Sequence, residues 1–408
     1  MKRSSCQRQY LILAPNLFGF KGGEQVYASF LIQNLQALDP DAEYHILLKY
    51  EREIPANSCF LNQTRFYGFG RFPRFLQSLL MAWYTIWLGI RKQPHLAISC
   101  HINYSVVLPW LQRWYQIPYW VVAHGIESWS LNHYYRQRAL RHANRVLAVS
   151  HYTRSRLLQE QFLPSDRVSV LANTIDEQQF DIAPKPQHLC QRYQLTPDQP
   201  VILTVSRLGK TARYKGYDRI LHALVTVRQS IPNVRYILVG KGDDMPRVQN
   251  LIQELNLQDC VTLAGFVPDE ELADYYHLCD LFALPSTIEG FGIVYLEAMA
   301  SGKPVLAGNR DGAVDPLCHG KLGCLVDPQD TQAIATYLIQ ILNQTYPNPL
   351  LYDPHALRQE MLTRFGLSSF QKTLEQLLAP ILSPPKGKNS HHPDDQTFSE
   401  TTTSDRPS

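Results

Sequence analysis

Between residues 285 and 302 the chain reads Pro-Ser-Thr-Ile-Glu-Gly-Phe-Gly-Ile-Val-Tyr-Leu-Glu-Ala-Met-Ala-Ser-Gly. A β-rich apolar run ends at Pro285. Gly290 and Gly292, either side of Phe291, open a short helix that Gly302 closes. Glu289 falls just ahead of that helix and Glu297 in its second turn. Unsatisfied amides at a helix start can hold phosphate oxygens. Two carboxylates flanking such an anion site can accept hydrogen bonds from sugar hydroxyls. The chemistry this spacing suggests is recognition of a sugar nucleotide.

Four other segments carry candidate residues. Arg207 follows an apolar run at 201–206, and Lys215-Gly216 comes eight residues later. From one loop they could converge on a diphosphate, a fork and a point charge reaching different oxygens; plain solvent-exposed charge gives the same pattern. Gly240-Lys241-Gly242 is a glycine turn after the run 235–239. In the first half, Gly22-Gly23-Glu24 opens a helical pattern, where glycines let a ligand approach backbone amides. A simple turn would read the same way. His124-Gly125 follows the run 119–123, as a site residue or a structural histidine.

The elements that must position these residues alternate. Candidate strands fall at 10–14, 44–48, 96–100, 119–123 and 145–150, then at 201–206, 235–239, 261–264, 281–285, 304–307 and 323–326. Helical patterns lie between them, for example at 23–37, 217–231, 244–255 and 270–278. Continuous apolar strands with intervening helices predict parallel sheets covered on both faces. In such sheets ligands bind beyond the carboxyl ends of the strands, which is where every candidate above sits. The 408 residues suit two domains. The expected division is residues 1–180, a proline-rich linker at 181–200, a second domain at 201–352, a returning helix within 353–382, and a disordered tail at 383–408. Hydrophobic residues are 45% and charged residues 18%, which excludes disorder or coiled coil for the bulk of the chain.

Taken together, these motifs resemble the retaining, nucleotide-sugar-dependent glycosyltransferases of family 4, which have the GT-B fold. The resemblance covers most of residues 10–330. Glu289 and Glu297 around Gly-Phe-Gly are similar to that family's paired glutamates. Val205-Ser206-Arg207-Leu208 with Lys215-Gly216 is similar to its diphosphate-binding pair. Val239-Gly240-Lys241-Gly242 and Leu263-Ala264-Gly265-Phe266-Val267 are similar to its donor-domain signatures, and Ala148-Val149-Ser150 and Asn173-Thr174-Ile175-Asp176 to its inter-domain segments. A departure falls at Asp311-Gly312-Ala313-Val314-Asp315, where many relatives have a glycine-rich loop followed by Glu.

The resemblance implies an α/β fold of two doubly wound Rossmann-like domains facing across a cleft, and a retaining hexosyltransferase. Arg207 and Lys215 would neutralise the leaving diphosphate, Glu297 would bind ribose hydroxyls and Glu289 donor-sugar hydroxyls. His124 would reach the sugar from the other domain, while Gly22 and Gly23 would let the first loop close over the phosphates. Gly240, Gly290, Phe291 and Gly292 would contribute to the donor pocket. No metal or cofactor is implied beyond the nucleotide diphosphate sugar, and the chain has no Asp-x-Asp motif. Glu289, Arg207 and Lys215 should bear on turnover more than on folding, because their partners would be ligand atoms. Two other readings stay open: a sugar-nucleotide epimerase or phosphorylase on the same fold, and an inactive binding protein.

Charge separates the halves. No Asp or Glu lies between Glu53 and Glu127, a stretch holding Arg65, Arg71, Arg74, Arg91, Lys92 and Arg113. Within it, residues 75–90 are nearly all apolar. As a helix they would span about 24 Å, short of the ~30 Å hydrocarbon core. They fit either a buried helix or one lying at an anionic membrane surface, flanked by Trp83 and Trp87. On the second reading the partner is a glycan or lipid-linked acceptor at an anionic membrane. A net charge of +3 does not point to nucleic acid. The eight cysteines form no C-x-x-C pair and no secretory signal is legible, so the expected setting is cytoplasmic, with reduced thiols, peripheral at the inner face of the membrane.

Overall fold

The computed structural model describes residues 7–19, 22–55, 59–129 and 131–382. The tail expected from residue 383 lies outside the described residues. Two parallel sheets organise the chain. The first contains β1 (Gln9–Ala14), β2 (Glu43–Leu48), β3 (Thr64–Gly68), β4 (Leu96–Ser99), β5 (Tyr119–Ala123), β6 (Arg145–Ala148) and β7 (Val168–Val170). Its order is β3-β2-β1-β4-β5-β6-β7. The second contains β8 (Val201–Val205), β9 (Arg235–Val239), β10 (Val261–Gly265), β11 (Leu281–Leu284), β12 (Val305–Gly308) and β13 (Cys324–Val326), in the order β10-β9-β8-β11-β12-β13.

Every strand pair is parallel. Both sheets therefore depend on crossover helices, and their central strands are apolar on both faces. All five residues of β5 and all four of β4 are buried. In each sheet the strand order reverses beside the first strand, between β1 and β4 and between β8 and β11. That reversal opens a crevice at the carboxyl ends, where candidate residues lie.

Two strands go beyond the sequence reading. Thr64–Gly68 is an edge strand of mixed, partly exposed residues, and Val168–Val170 has three residues. Neither presents a continuous apolar run. The linker also holds a short helix, Gln187–Arg192.

The apolar stretch at 75–90 forms the helix Arg74–Lys92. One face packs inward through Met81, Leu88 and Gly89. A Cβ at Gly89 would lie 2.6 Å from Leu111, so the glycine lets the helix Leu108–Tyr115 pack closely. The opposite face stays exposed: Phe75 is 69% accessible, Leu79 64% and Trp83 57%, with Trp87 and Ile90 continuing the stripe. The buried-helix reading is therefore incorrect. Of the aromatics just upstream, Phe66 and Phe69 are packed whereas Phe72 is exposed.

The helical pattern near the C-terminus is two helices, Pro354–Phe365 and Leu367–Leu382, broken at Gly366. The first abuts the second domain, where a Cβ on Gly302 would lie 2.6 Å from Pro354. The second packs on the first domain, its Phe370 ring edge-on to Tyr27 at 5.9 Å. The two chain crossings lie side by side. Glu177 Oε1 accepts from Leu367 N–H at 2.8 Å, and Arg358 donates to the carbonyls of Glu177, Phe180 and Ala300.

Candidate functional site

The site assembles where the loops after β8, β11 and β12 meet those after β4 and β5. After β8 the chain passes Arg207 and makes a tight turn over Lys210–Lys215. Gly216, at φ 77°, brings this turn onto the end of β11: a Cβ there would sit 2.2 Å from the Pro285 carbonyl oxygen. Thr287 N–H donates to the Tyr214 carbonyl at 2.8 Å, tying the turn to the next loop. The Lys215 ammonium then meets Glu289 in a direct ion pair, their side chains 17% and 12% exposed.

The turn is held from behind. Asp244 is 1% exposed and accepts from Arg213, Arg247 and the Tyr217 hydroxyl, while its own N–H donates to the Leu208 carbonyl. Burial disfavours its charge, but these donors outweigh burial and hold its carboxyl well below the usual range. Asp243 accepts from Lys210 N–H at 2.7 Å.

Glu289 leads into the helix Ile293–Ala300, whose first turn no side chain caps. The left-handed Gly292, φ 88°, starts it, and a Cβ there would strike the Tyr295 ring. In the second turn Glu297 is buried and accepts from the Tyr276 hydroxyl at 2.6 Å. Burial pushes its carboxyl up to about 7. Asp311, also raised to about 7 by burial, accepts from Ser286 at 2.7 Å and from Ala313 N–H at 3.0 Å. Gly312 N–H donates to the Glu289 carbonyl at 2.9 Å. The Asp311–Asp315 segment thus supports the glutamate loop from below.

From the first domain, Gly22 precedes the helix Gly23–Leu38 and donates its N–H to Gln25 at 2.9 Å. A Cβ on Gly23 would meet nothing within 4 Å, so protein packing does not explain that glycine. His124 Nε2 lies 2.8 Å from the Cys100 carbonyl, which only accepts, so this nitrogen carries the proton. His101, beyond β4, stands 6.5 Å from His124 ring to ring, and burial lowers its pKa to about 4. It is neutral near pH 7 and faces Glu24 at 3.7 Å.

The two domains touch at backbone level here. A Cβ on Gly290 would fall 1.7 Å from the His124 carbonyl oxygen, and one on Gly125 would fall 2.7 Å from Gly290 Cα. Around this contact Thr153 donates to the Gly290 carbonyl at 3.3 Å, and Tyr152 N–H donates to Asp315 at 2.8 Å.

Lys215, Glu289, Gly290, Gly292 and His124 therefore come together. Glu297 lies in the helix behind them. Arg207 is on the same loop, exposed, and its guanidinium has no partner among the described residues. Gly240 is required by the backbone itself: at φ 139° a Cβ there would fall 1.8 Å from the Ser206 carbonyl oxygen. The Phe291 side chain is buried against Phe365 at 5.6 Å, leaving only its backbone for the pocket. The expected partners of Lys215 are ligand atoms, with few protein groups left unpaired by its removal; Glu289 is one such group. Sequence reading missed Tyr276, Asp311, Asp244 and His101. For His101 a signal existed, a polar residue just past an apolar strand.

The family described as Glycosyl transferases group 1 matches residues 189–354, and that described as Glycosyltransferase Family 4 matches residues 21–179. The chain is similar to a GDP-mannose-dependent alpha-(1-6)-phosphatidylinositol monomannoside mannosyltransferase of Mycolicibacterium smegmatis, 36% identical over 49% of this chain and 53% of that one. It is also similar to an alpha-D-kanosaminyltransferase of Streptomyces kanamyceticus, 29% identical over 54% and 56%. The chain spans about half the length of the curated relatives it matches. Among solved structures, sucrose-phosphate synthase of Thermosynechococcus elongatus superposes with TM-score 0.75 at 21% identity, over 92% of this chain and 99% of that one. Anabaena Alr3699/HepE in complex with UDP-glucose superposes with TM-score 0.70 at 23% identity, over 91% and 99%.

Proposed function

Because the chain belongs to the family 4 glycosyltransferases, with their GT-B fold, we propose that it is a retaining hexosyltransferase that moves a hexosyl group from a nucleotide diphosphate sugar to a glycan or lipid-linked acceptor. The observation that carries this reading is the Lys215–Glu289 pair ahead of the uncapped start of Ile293–Ala300. Lysine has three N–H donors. One serves Glu289 and two remain for diphosphate oxygens, beside the helix amides and the unpartnered Arg207. Glu289 then accepts from donor-sugar hydroxyls, and Glu297 from the ribose.

As the glycosyl–phosphate bond breaks, positive charge grows on the sugar and negative charge on the diphosphate. Fixed cations and amides stabilise the second without reorganising. The acceptor hydroxyl attacks from the face that the diphosphate leaves. Its proton passes to a leaving phosphate oxygen; attack on that same face keeps the configuration, and Lys215 and Arg207 supply the positive charge a metal would otherwise bring. His124 Nδ1, the ring nitrogen that does not face the Cys100 carbonyl, has no hydrogen-bond partner among the described residues and suits a sugar hydroxyl.

The acceptor belongs at a membrane surface in this reading. Among the described residues no helix is long and apolar enough to cross a membrane. The exposed stripe of Arg74–Lys92 instead joins Trp110 and Trp114 of the neighbouring helix. Arg91 stacks on Trp87 and Arg113 on Trp114. Arg65 and Lys92 are partly neutralised by Glu43, whereas Arg71, Arg74, Arg91 and Arg113 form no ion pair with an acid among the described residues. Tryptophans ringed by such cations favour an anionic lipid interface.

The test is incubation of the purified protein with a panel of nucleotide sugars, GDP-mannose and UDP-glucose among them, following release of the nucleoside diphosphate. Release from one donor, with the anomeric configuration kept in the transferred sugar, supports the reading. Absence of turnover and binding across the panel refutes it.

A further inference from the structure

A cavity of about 800 Å³ lies at the domain junction, behind the donor loop. Its walls come from three parts of the chain. The first domain contributes the start of the helix His151–Glu160 and the segment after β7, and the second contributes Asp315–Lys321. The two C-terminal helices contribute the third wall. The Phe291 side chain forms part of the wall, one residue from the glycine that touches His124.

The charge of this cavity is one-sided. Arg154, Lys321 and Arg364 line it together with His151 and His319, and Asp315 is the single carboxylate in its lining. That carboxylate is already committed. One oxygen accepts from Tyr152 N–H at 2.8 Å and the other lies 4.0 Å from His319 Nε2. Among the described residues Arg154 donates only to the carbonyls of Val168 and Ser165. The Lys321 ammonium has no partner among the described residues. Arg364 has only an exposed contact with Glu360 at 3.4 Å, a weak competitor for a ligand.

The wall is also strained where it carries these groups. Cys318 and His319 are consecutive non-glycine residues at φ 47° and 56°, followed by Gly320 at φ 93°. Such conformations persist where the surroundings impose them, and they cluster at functional sites. Away from the cations the lining changes character: Asn173, Ser369 and Thr373 offer hydrogen bonds, and Leu171, Phe365 and Phe370 offer apolar contact.

We propose that this cavity is a second binding site, for a small phosphorylated polyol or sugar whose phosphate sits among Arg154, Lys321 and Arg364. A concave volume of this size suits a small molecule rather than a macromolecular surface. Guanidinium and ammonium groups are the chemistry that holds phosphate. Hydroxyls of the ligand body would reach Asn173, Ser369 and Thr373. A ligand that touches both domains favours the arrangement in which they meet. Its occupancy is therefore coupled to donor binding, and by linkage each ligand tightens the other.

The inference is separable from the transfer reaction, because binding is measured directly. Calorimetric titration of the full chain uses inorganic phosphate, a hexose 6-phosphate and the uncharged hexose, with nucleoside diphosphate titrated in parallel. Saturable binding of the hexose phosphate, but not of the hexose, is expected. Lys321→Ala with Arg364→Ala should weaken it about tenfold or more, while nucleoside diphosphate affinity stays unchanged. Should the double variant misfold, Lys321→Gln at its exposed position carries the same comparison. No saturable binding of either phosphate compound would overturn the proposal. So would binding undiminished in these variants, or binding lost in Arg207→Ala, which would assign it to the donor site.

Discussion

The Tyr276 hydroxyl donates to Glu297 Oε2 at 2.6 Å inside the second domain, with Glu297 only 9% exposed. No cation pairs with this carboxylate among the described residues. Burial raises its pKa from 4.5 to about 7. The folded state therefore retains a proton that the unfolded chain releases. The resulting stability is fully present below about pH 4.5 and is lost as pH rises through about 7. Glu297→Gln should thus gain in Tm relative to the parent protein between about pH 5 and about pH 8. Ribose hydroxyls prefer the ionised form, so nucleotide affinity should rise over the same range in the parent and stay flat and weaker in the variant. Thermal melts and titrations at several pH values measure both.

Lys215→Ala should lower donor turnover by about a hundredfold or more. It should also lower Tm by a few degrees, since Glu289 loses its partner in a largely buried position. Combining Lys215→Ala with Glu289→Gln should restore most of the Tm without restoring turnover. A fully active Lys215→Ala protein would remove the diphosphate assignment.

Asp244→Asn should loosen the Lys210–Lys215 turn without touching a ligand. Three donors hold this acid in its charged form, so its contribution is present above the usual carboxylate range and is lost as pH falls. Expected outcomes are a lower Tm near neutrality, a Tm gap to the parent that narrows in acid, and faster amide exchange over 208–216. An unchanged exchange pattern would count against the positioning role.

Gly290→Ala places a methyl group where the His124 carbonyl oxygen now lies. The domains must separate while each sheet keeps its core. Small-angle scattering should report a larger radius of gyration, and turnover should fall steeply with little change in circular dichroism.

Charge reversal at Arg71, Arg74 and Arg91 should abolish salt-sensitive co-sedimentation with anionic liposomes. Donor hydrolysis should persist, because the donor pocket is in the other domain. Each cation near such a surface contributes about 1 kcal/mol, so three reversals suffice. Equal failure of the parent protein to bind at low and high salt would sink the membrane reading.

The second sheet was legible almost to the residue. Its strands are dominated by apolar residues, interrupted only by Arg235, Thr204 and Thr262, as parallel pairing covered by helices demands. The edges of the first sheet were not, since Thr64–Gly68 mixes polar, aromatic and glycine residues and Val168–Val170 has three positions. The glutamate loop was legible because Gly290, Gly292 and Gly302 mark its turn and its helix. That Lys215 would meet Glu289 was not, as the two lie 74 residues apart and no local pattern couples them. The same holds for Tyr276 with Glu297 and Ser286 with Asp311. In each a buried polar group found its partner through tertiary packing. Gly240 shows a related ambiguity: a glycine needed for backbone crossing looks in sequence like one needed for a phosphate.

The chain passes between the domains twice, and Glu177 with Arg358 fastens one passage to the other. A single linker would let the two bodies twist, slide and swing. Two adjacent linkers riveted together act like a door leaf on a pinned hinge, suppressing torsion and shear and leaving one rotation. Any opening of the cleft about that hinge would move Gly290 away from His124 along a single arc. The register in which Lys215, Glu289 and His124 face one another therefore depends on a backbone N–H, Leu367, held by a carboxylate, Glu177, that touches none of them.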